Sequence, residues 1–166
     1  GNRYDAGTAL WGTAARIDAA STPAASPSVA LDPTGNAMAV WLQSVGMTKH
    51  AWASRNTGMG WQTTPTQLAD TASKLRVGID MDGSGNALAV WEQNPTGTPN
   101  PTLRAQRYLQ STPAWADSAS SLSLSGSDMA LDVNSSGKAL VVAKQKVSGG
   151  PTAGLQTAPW ALLYQP

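Results

Sequence analysis

The stretch Asp80-x-Asp82-x-Ser84-Gly85-Asn86 puts oxygen donors at positions 1, 3, 5 and 7 with glycine at position 6, the opening of a calcium loop of the EF-hand kind. The glutamate that closes such a loop at position 12 is missing; Trp91 stands there, and a related stretch upstream has Ala30 in place of the leading aspartate. The competing reading is a hairpin turn in which Asp82 and Asn86 bond the turn backbone. On that reading no metal or other cofactor is expected. His50 is the single histidine, so a histidine metal set or a paired histidine acid–base device cannot be built from this chain. No Gly-x-Ser-x-Gly elbow presents a serine nucleophile. Carboxylates are supplied by nine aspartates and Glu92, but Asp32 and Asp82 belong to turns, so an acid–base pair is not expected. The chain reads as no enzyme, with a hydrolase as a remote alternative.

Binding chemistry is better represented. Among seven tryptophans, Trp41 and Trp91 occupy matching places, as do Trp11, Trp61 and Trp115, which points to repeated packing roles. Trp52 and Trp160 have no counterparts. The Trp52 indole, near His50 and Arg55, has the character needed to stack on a sugar ring beside hydrogen-bonding groups. Arg3, Arg55 and Arg107 recur at one place, and tyrosine follows two of them as Tyr4 and Tyr108. A repeated arginine suits a pocket for an acidic or hydroxyl-rich ligand, or ties neighbouring units through turn carboxylates. The candidate ligand-binding set is therefore Trp52, Arg55, His50, Arg107, Tyr108, Arg3 and Tyr4.

The elements that position these residues are written as a repeat. Ala30-Leu31-Asp32-Pro33-Thr34-Gly35-Asn36-Ala37-Met38-Ala39-Val40-Trp41 returns as Asp80-Met81-Asp82-Gly83-Ser84-Gly85-Asn86-Ala87-Leu88-Ala89-Val90-Trp91, and more loosely over 132–143. From Gly35 to Gly85 is 50 residues and from Gly85 to Gly137 is 52, a period expected of propeller blades and other arrays of small β units. In each copy a short apolar strand, at 28–32, 77–82 and 128–132, leads through an Asp-x-x-Gly-Asn turn or a variant of it into a second strand. That second strand is apolar at every position, with Ala37, Ala39 and Trp41 on one side and Met38, Val40 and Leu42 on the other, as in a sheet covered on both faces. One residue past the tryptophan the copies diverge to Leu42, Glu92 and Lys144, as expected where the strand reaches solvent. A third strand follows at 49–56 and 103–108, and a fourth opens with Trp61 and Trp115.

The segment Arg3-Tyr4 followed by Trp11 matches Arg107-Tyr108 followed by Trp115, so the chain opens in the middle of a repeat. The expected division is a half-repeat over 1–20, repeat 1 over 21–70, repeat 2 over 71–122 and a degenerate repeat 3 over 123–166. Two readings of the ends remain: the opening half-repeat completes the last unit by strand exchange, which is favoured, or 160–164 makes its own fourth strand. Features that the copies do not share, His50, Trp52, the loop over 94–102 and the tail from 151, are the places to look for function.

A length of 166 residues, with 41% hydrophobic and 13% charged residues, suits a folded domain. A net charge of +1 without basic runs gives no footprint for nucleic acid. No stretch has the apolar length of a membrane span or the pattern of a signal peptide, so the chain reads as a mature segment. Cysteine is absent, which excludes disulfides and thiolate sites.

The string Asp-x-x-Gly-Asn-Ala-x-Ala-Val-Trp-x-Gln, followed by Ala-x-Arg-Tyr and a tryptophan turn, resembles a repeat of secreted or lipid-anchored bacterial proteins of the β-propeller type. The match covers Asp32 to Gln43 and Asp82 to Gln93 best, and 144–166 least. The resemblance implies an all-β, propeller-like array of about three four-stranded antiparallel blades in an extracellular or periplasmic setting, and it carries over no catalytic residue. About three blades cannot close a ring, so a homodimer or further repeats are expected to complete it. The function expected is a non-catalytic binding module, lectin-like with a glycan as ligand. The alternative is a structural repeat that meets an envelope protein or its own copies.

Overall fold

A computed structural model of the chain describes residues 1–18, 21–68, 74–94, 101–147 and 156–164. The described residues form strands and turns without a helix. The N-terminal hairpin is β1 (Tyr4–Asp5) with β2 (Leu10–Trp11). A first sheet holds β3 (Ala24–Leu31), β4 (Ala37–Val45), β5 (Thr48–Asn56) and β6 (Thr66–Gln67) in sequence order. A middle sheet runs β7 (Lys74–Met81), β8 (Ala87–Gln93), β9 (Thr102–Leu109) and β10 (Ala114–Trp115), and β11 (Ser120–Ser125) also pairs with β9. A last sheet holds β12 (Ser127–Val133), β13 (Ala139–Val147) and β14 (Gln156–Tyr164). Every pairing is antiparallel. No closed barrel or ring of sheets forms among the described residues. Most of the 94–102 loop and the start of the tail lie outside them.

The repeated turn joins the first two strands of each sheet by the same bonds. Asp32 Oδ1 accepts from the amides of Thr34 and Asn36, Asp82 Oδ1 from those of Ser84 and Asn86, and Asn134 Oδ1 from those of Ser136 and Lys138. Gly35, Gly85 and Gly137 sit at φ of 85°, 80° and 83°, a left-handed conformation that a β-carbon resists. The turn chemistry holds even where asparagine replaces aspartate, because both present a short oxygen acceptor to the same amides.

The sheets pack face to face. One core joins Met38, Val40, Leu42, Ala51, Ala53 and Leu68 of the first sheet and its flank to Ile79, Ala87, Ala89, Trp91 and Tyr108 of the middle one. A second joins Leu88, Val90, Leu103 and Ala105 to Ala139, Val141 and Ala143 of the last sheet. β8 is therefore apolar on both faces because each face meets another sheet. The leading strands β3, β7 and β12 lie side by side and border an open cavity of ≈ 660 Å³.

Two expectations about ends are corrected. The opening half-repeat does not complete the last sheet: β1 and β2 pair with each other, and the N-terminal segment lies beside the first sheet, where Gln43 Nε2 donates to Asp18 and to the Thr22 carbonyl. The C-terminal segment is not a fourth strand either. β14 pairs with β13 as the third strand, with Ala139 opposite Tyr164 as Ala87 is opposite Tyr108 and Ala37 opposite Asn56. Antiparallel pairing with the nearest free edge satisfies the β13 backbone without strand exchange.

The expected solvent exposure past the tryptophan is also corrected. Leu42 is buried, Glu92 is 1% exposed, and only Lys144 reaches water. The first two sheets are each covered at this position by the sheet that follows them, and the last is not. Glu92 Oε1 accepts from the Met129 amide at 3.3 Å and lies 3.9 Å from Arg76 Nε, while Arg76 Nη2 bonds Asp128 at 2.7 Å.

Candidate functional site

Alternation along β5 and β9 sorts the predicted residues onto opposite faces. Ala51, Ala53 and Arg55 face the middle sheet, whereas His50, Trp52 and Ser54 face away from it, opposite Gln43, Trp41 and Ala39. Likewise Tyr108 belongs to the core shared with the first sheet, while Ala105, and with it Arg107, faces the last sheet. The seven residues proposed as one set therefore do not share one place: Arg55 and Tyr108 meet between the first and middle sheets, while His50 and Trp52 lie on the other face of β5 and Arg107 turns towards the last sheet.

His50 is buried and fully engaged. Its Nδ1 meets Gln67 Nε2 at 3.0 Å and its Nε2 meets Thr48 Oγ1 at 2.8 Å, while Thr48 Oγ1 lies 3.1 Å from the Val45 carbonyl. A neutral ring protonated at Nε2 accounts for all three contacts, with each group donating once. Trp52 is half-buried, and its Nε1 is enclosed without a hydrogen-bond partner among the described residues. Arg3 and Tyr4 lie on the exposed N-terminal hairpin, where Tyr4 and Trp11 contact each other at 5.4 Å between ring centroids.

The calcium reading finds its oxygens already occupied. Asp82 turns both carboxylate oxygens into its own hairpin. Asp80 accepts from the Met81 amide through Oδ1 and from the Val133 amide of the last sheet through Oδ2, at 2.6 Å. The two carboxylates therefore serve backbone donors in different directions, and no acid cluster able to hold a metal occurs among the described residues. In the first copy, burial raises the Asp32 carboxyl, but hydrogen bonds from Thr34 and Asn36 outweigh it and hold the group below its ordinary range.

What the fold does bring together is Arg55, Tyr108 and Trp115. They line a cavity of ≈ 300 Å³ between the first and middle sheets, with Met38, Gln62, Thr66, Pro113 and Ala114. Each side chain is there for a local reason. Arg55 ends the face of β5 that carries Ala51 and Ala53, and its guanidinium carbon stands 5.4 Å from the centre of the Tyr108 ring. Tyr108 and Trp115 pair across β9 and β10 and meet edge to face, 5.6 Å apart at 65°. Gln62 follows Trp61, accepts from the Arg55 amide through Oε1 and returns its own amide to the Arg55 carbonyl. Its side-chain NH₂ is left with no partner among the described residues.

Arg55 is 8% exposed, and its Nε is enclosed without a hydrogen bond among the described residues. Among the described residues that line the cavity, none carries a carboxylate. Gln62, Thr66 and Trp115 were not singled out as ligand contacts from sequence. Trp115 was read as packing, and Gln62 and Thr66 carry no repeated pattern, so only the register of β5 against the middle sheet brings them in. Compared with known proteins, the chain matches no family model and no curated protein.

Proposed function

We propose that this chain is a non-catalytic binding module that takes a carbohydrate in the cleft between the first and middle sheets. The cleft itself carries the reading: an aromatic wall of Tyr108 and Trp115 faces the polar groups of Arg55, Gln62 and Thr66 in ≈ 300 Å³. An apolar pocket with a few convergent polar groups is the usual form of a small-ligand site. The C–H face of a pyranose ring suits the aromatic wall, and its hydroxyls suit the amide and the threonine. The sheets are read as blades of a propeller-like array, a reading supported by the convergence of β3, β7 and β12 on one cavity and by the repeat period of the sequence. The bacterial, secreted or envelope setting rests on the resemblance of the repeat alone.

The test is a screen of neutral and acidic glycans against the whole chain, followed by titration of each ligand found into Trp115→Ala. The variant is expected to weaken binding at least about tenfold, the scale of a lost aromatic contact in a desolvated site. Binding that survives this change with unaltered affinity would remove the cleft as the site.

A second reading, a structural repeat that meets a partner or another copy, is favoured by one observation. Leu140 and Leu163 are 43% and 58% exposed on the last sheet, whereas Met38 and Leu88, the equivalents of Leu140 in the other two sheets, are buried. Light scattering over a range of concentrations distinguishes them: a mass that doubles favours the structural role, and a constant monomer removes its self-association form.

A further inference from the structure

Arg55 carries a charge that no carboxylate among the described residues answers. Three other arginines have partners: Arg16 pairs with Asp18, Arg76 with Asp128, and Arg104 Nη2 donates to the Ala119 carbonyl. The Arg55 guanidinium, more than nine-tenths buried, makes no ion pair or hydrogen bond among the described residues and has only the face of Tyr108. A ring face offsets a fraction of what it costs to take a cation out of water. The remainder is recovered when a ligand brings the opposite charge, and arginine holds a carboxylate in a paired geometry that no neutral hydroxyl reproduces.

We propose that the ligand of this cleft is an acidic saccharide, bound through a ring carboxylate to Arg55. This deepens the carbohydrate reading of the same cleft and rests on it. The carboxylate takes the place of the missing counter-charge, the sugar ring lies against Trp115 and Tyr108, and the free NH₂ of Gln62 with the Thr66 hydroxyl meets the ring hydroxyls. The arrangement selects against neutral sugars, because they would enter the cleft and leave the guanidinium unpaired.

Calorimetric titration of the whole chain tests it with short oligosaccharides of galacturonate, glucuronate and alginate, each beside its carboxyl-reduced neutral counterpart, and with acetate alone. At least one acidic oligosaccharide is expected to bind about tenfold or more tightly than its neutral counterpart. Arg55→Gln is expected to bring the acidic ligand down to the neutral level, and Arg55→Lys to restore part of the difference. Equal affinity for an acidic oligosaccharide and its reduced form would overturn the charge assignment while leaving a carbohydrate site in place. Failure of every saccharide, acidic and neutral, would overturn both. Acetate binding as tightly as the oligosaccharides would mean a small-anion site and would overturn the saccharide. If Arg55→Gln does not fold, the acidic and neutral ligands on the unaltered chain still decide the question.

Discussion

Arg55 and Arg107 occupy the same register position in successive sheets, the one opposite Met38 and the other opposite Leu88, yet they face different surroundings. Where the first and middle sheets meet, Arg55 looks across ≈ 300 Å³ at Tyr108 and Trp115. Where the middle and last sheets meet, Arg107 shares a space of only ≈ 10 Å³ with Asp82, Val133, Gly137 and Tyr164. Tyr164 is the register equivalent of Tyr108, so the third strand contributes the same ring in both places. Two things differ. β10 sets Trp115 beside Tyr108, and among the described residues a carboxylate, Asp82, lines the space beside Arg107 while none lines the cleft beside Arg55. The two arginines thus differ by neighbours rather than by their own strand: Arg55 is buried beside a roomy cleft, and Arg107 is half-buried at a narrow seam.

The largest test of that difference is to remove the ring on each side. Tyr108 is buried in the core shared by the first two sheets, so Tyr108→Ala is expected to cost about 3 kcal/mol or more, the scale of deleting a core aromatic. Tyr164 is half-buried, and Tyr164→Ala is expected to cost about 1 kcal/mol in urea unfolding. Equal losses would mean that the second seam is packed as tightly as the first junction.

A smaller contrast separates a covered face from an uncovered one. Leu88 and Leu140 hold one register position in the middle and last sheets, buried in the first case and 43% exposed in the second. Leu88→Ala should cost about 2–3 kcal/mol and Leu140→Ala less than about 1 kcal/mol. A Leu140→Ala loss that grows with protein concentration would show that this face is covered in solution by another copy.

The last contrast has the opposite sign. Burial, above all, pushes the Glu92 carboxyl above its ordinary value of 4.5, and the Met129 amide and Arg76 offset only part of it. Because the folded chain then holds this proton more firmly than the unfolded one, the contribution of Glu92 to stability is greatest below pH 4.5 and declines as pH rises through the raised value. Glu92→Gln keeps an acceptor for Met129 and is expected to raise stability at neutral pH and flatten that decline, read from unfolding midpoints across pH. A decline that is steeper in the variant would mean that the Arg76 attraction outweighs burial.

Much of the local structure was legible in residue order. Asp32, Asp82 and Asn134 with their glycines marked three turns because an oxygen acceptor and a left-handed glycine are local requirements. The doubly apolar run from Ala87 to Trp91 announced a strand covered on both faces, as the two cores record. The place of 156–164 was harder to read. Ala161-Leu162-Leu163-Tyr164 echoes Ala105-Gln106-Arg107-Tyr108, but the loss of the arginine hid the match. Glu92 misled in the other direction, since a lone acid at a strand end reads as solvent-facing until another sheet is laid over it.

The candidate site divides along the same line. Period-two alternation, a property of any strand, already separates Arg55 from His50 and Trp52 once the strand is known. It does not say which sheet lies opposite. That Arg55 meets Tyr108, more than fifty positions away, that Gln62 and Thr66 close the same cleft, and that no carboxylate of the described residues lines it were decided by tertiary packing alone. Turn bonds and alternation act between near neighbours in the chain, whereas burial and charge compensation depend on surfaces that only the folded stack brings together.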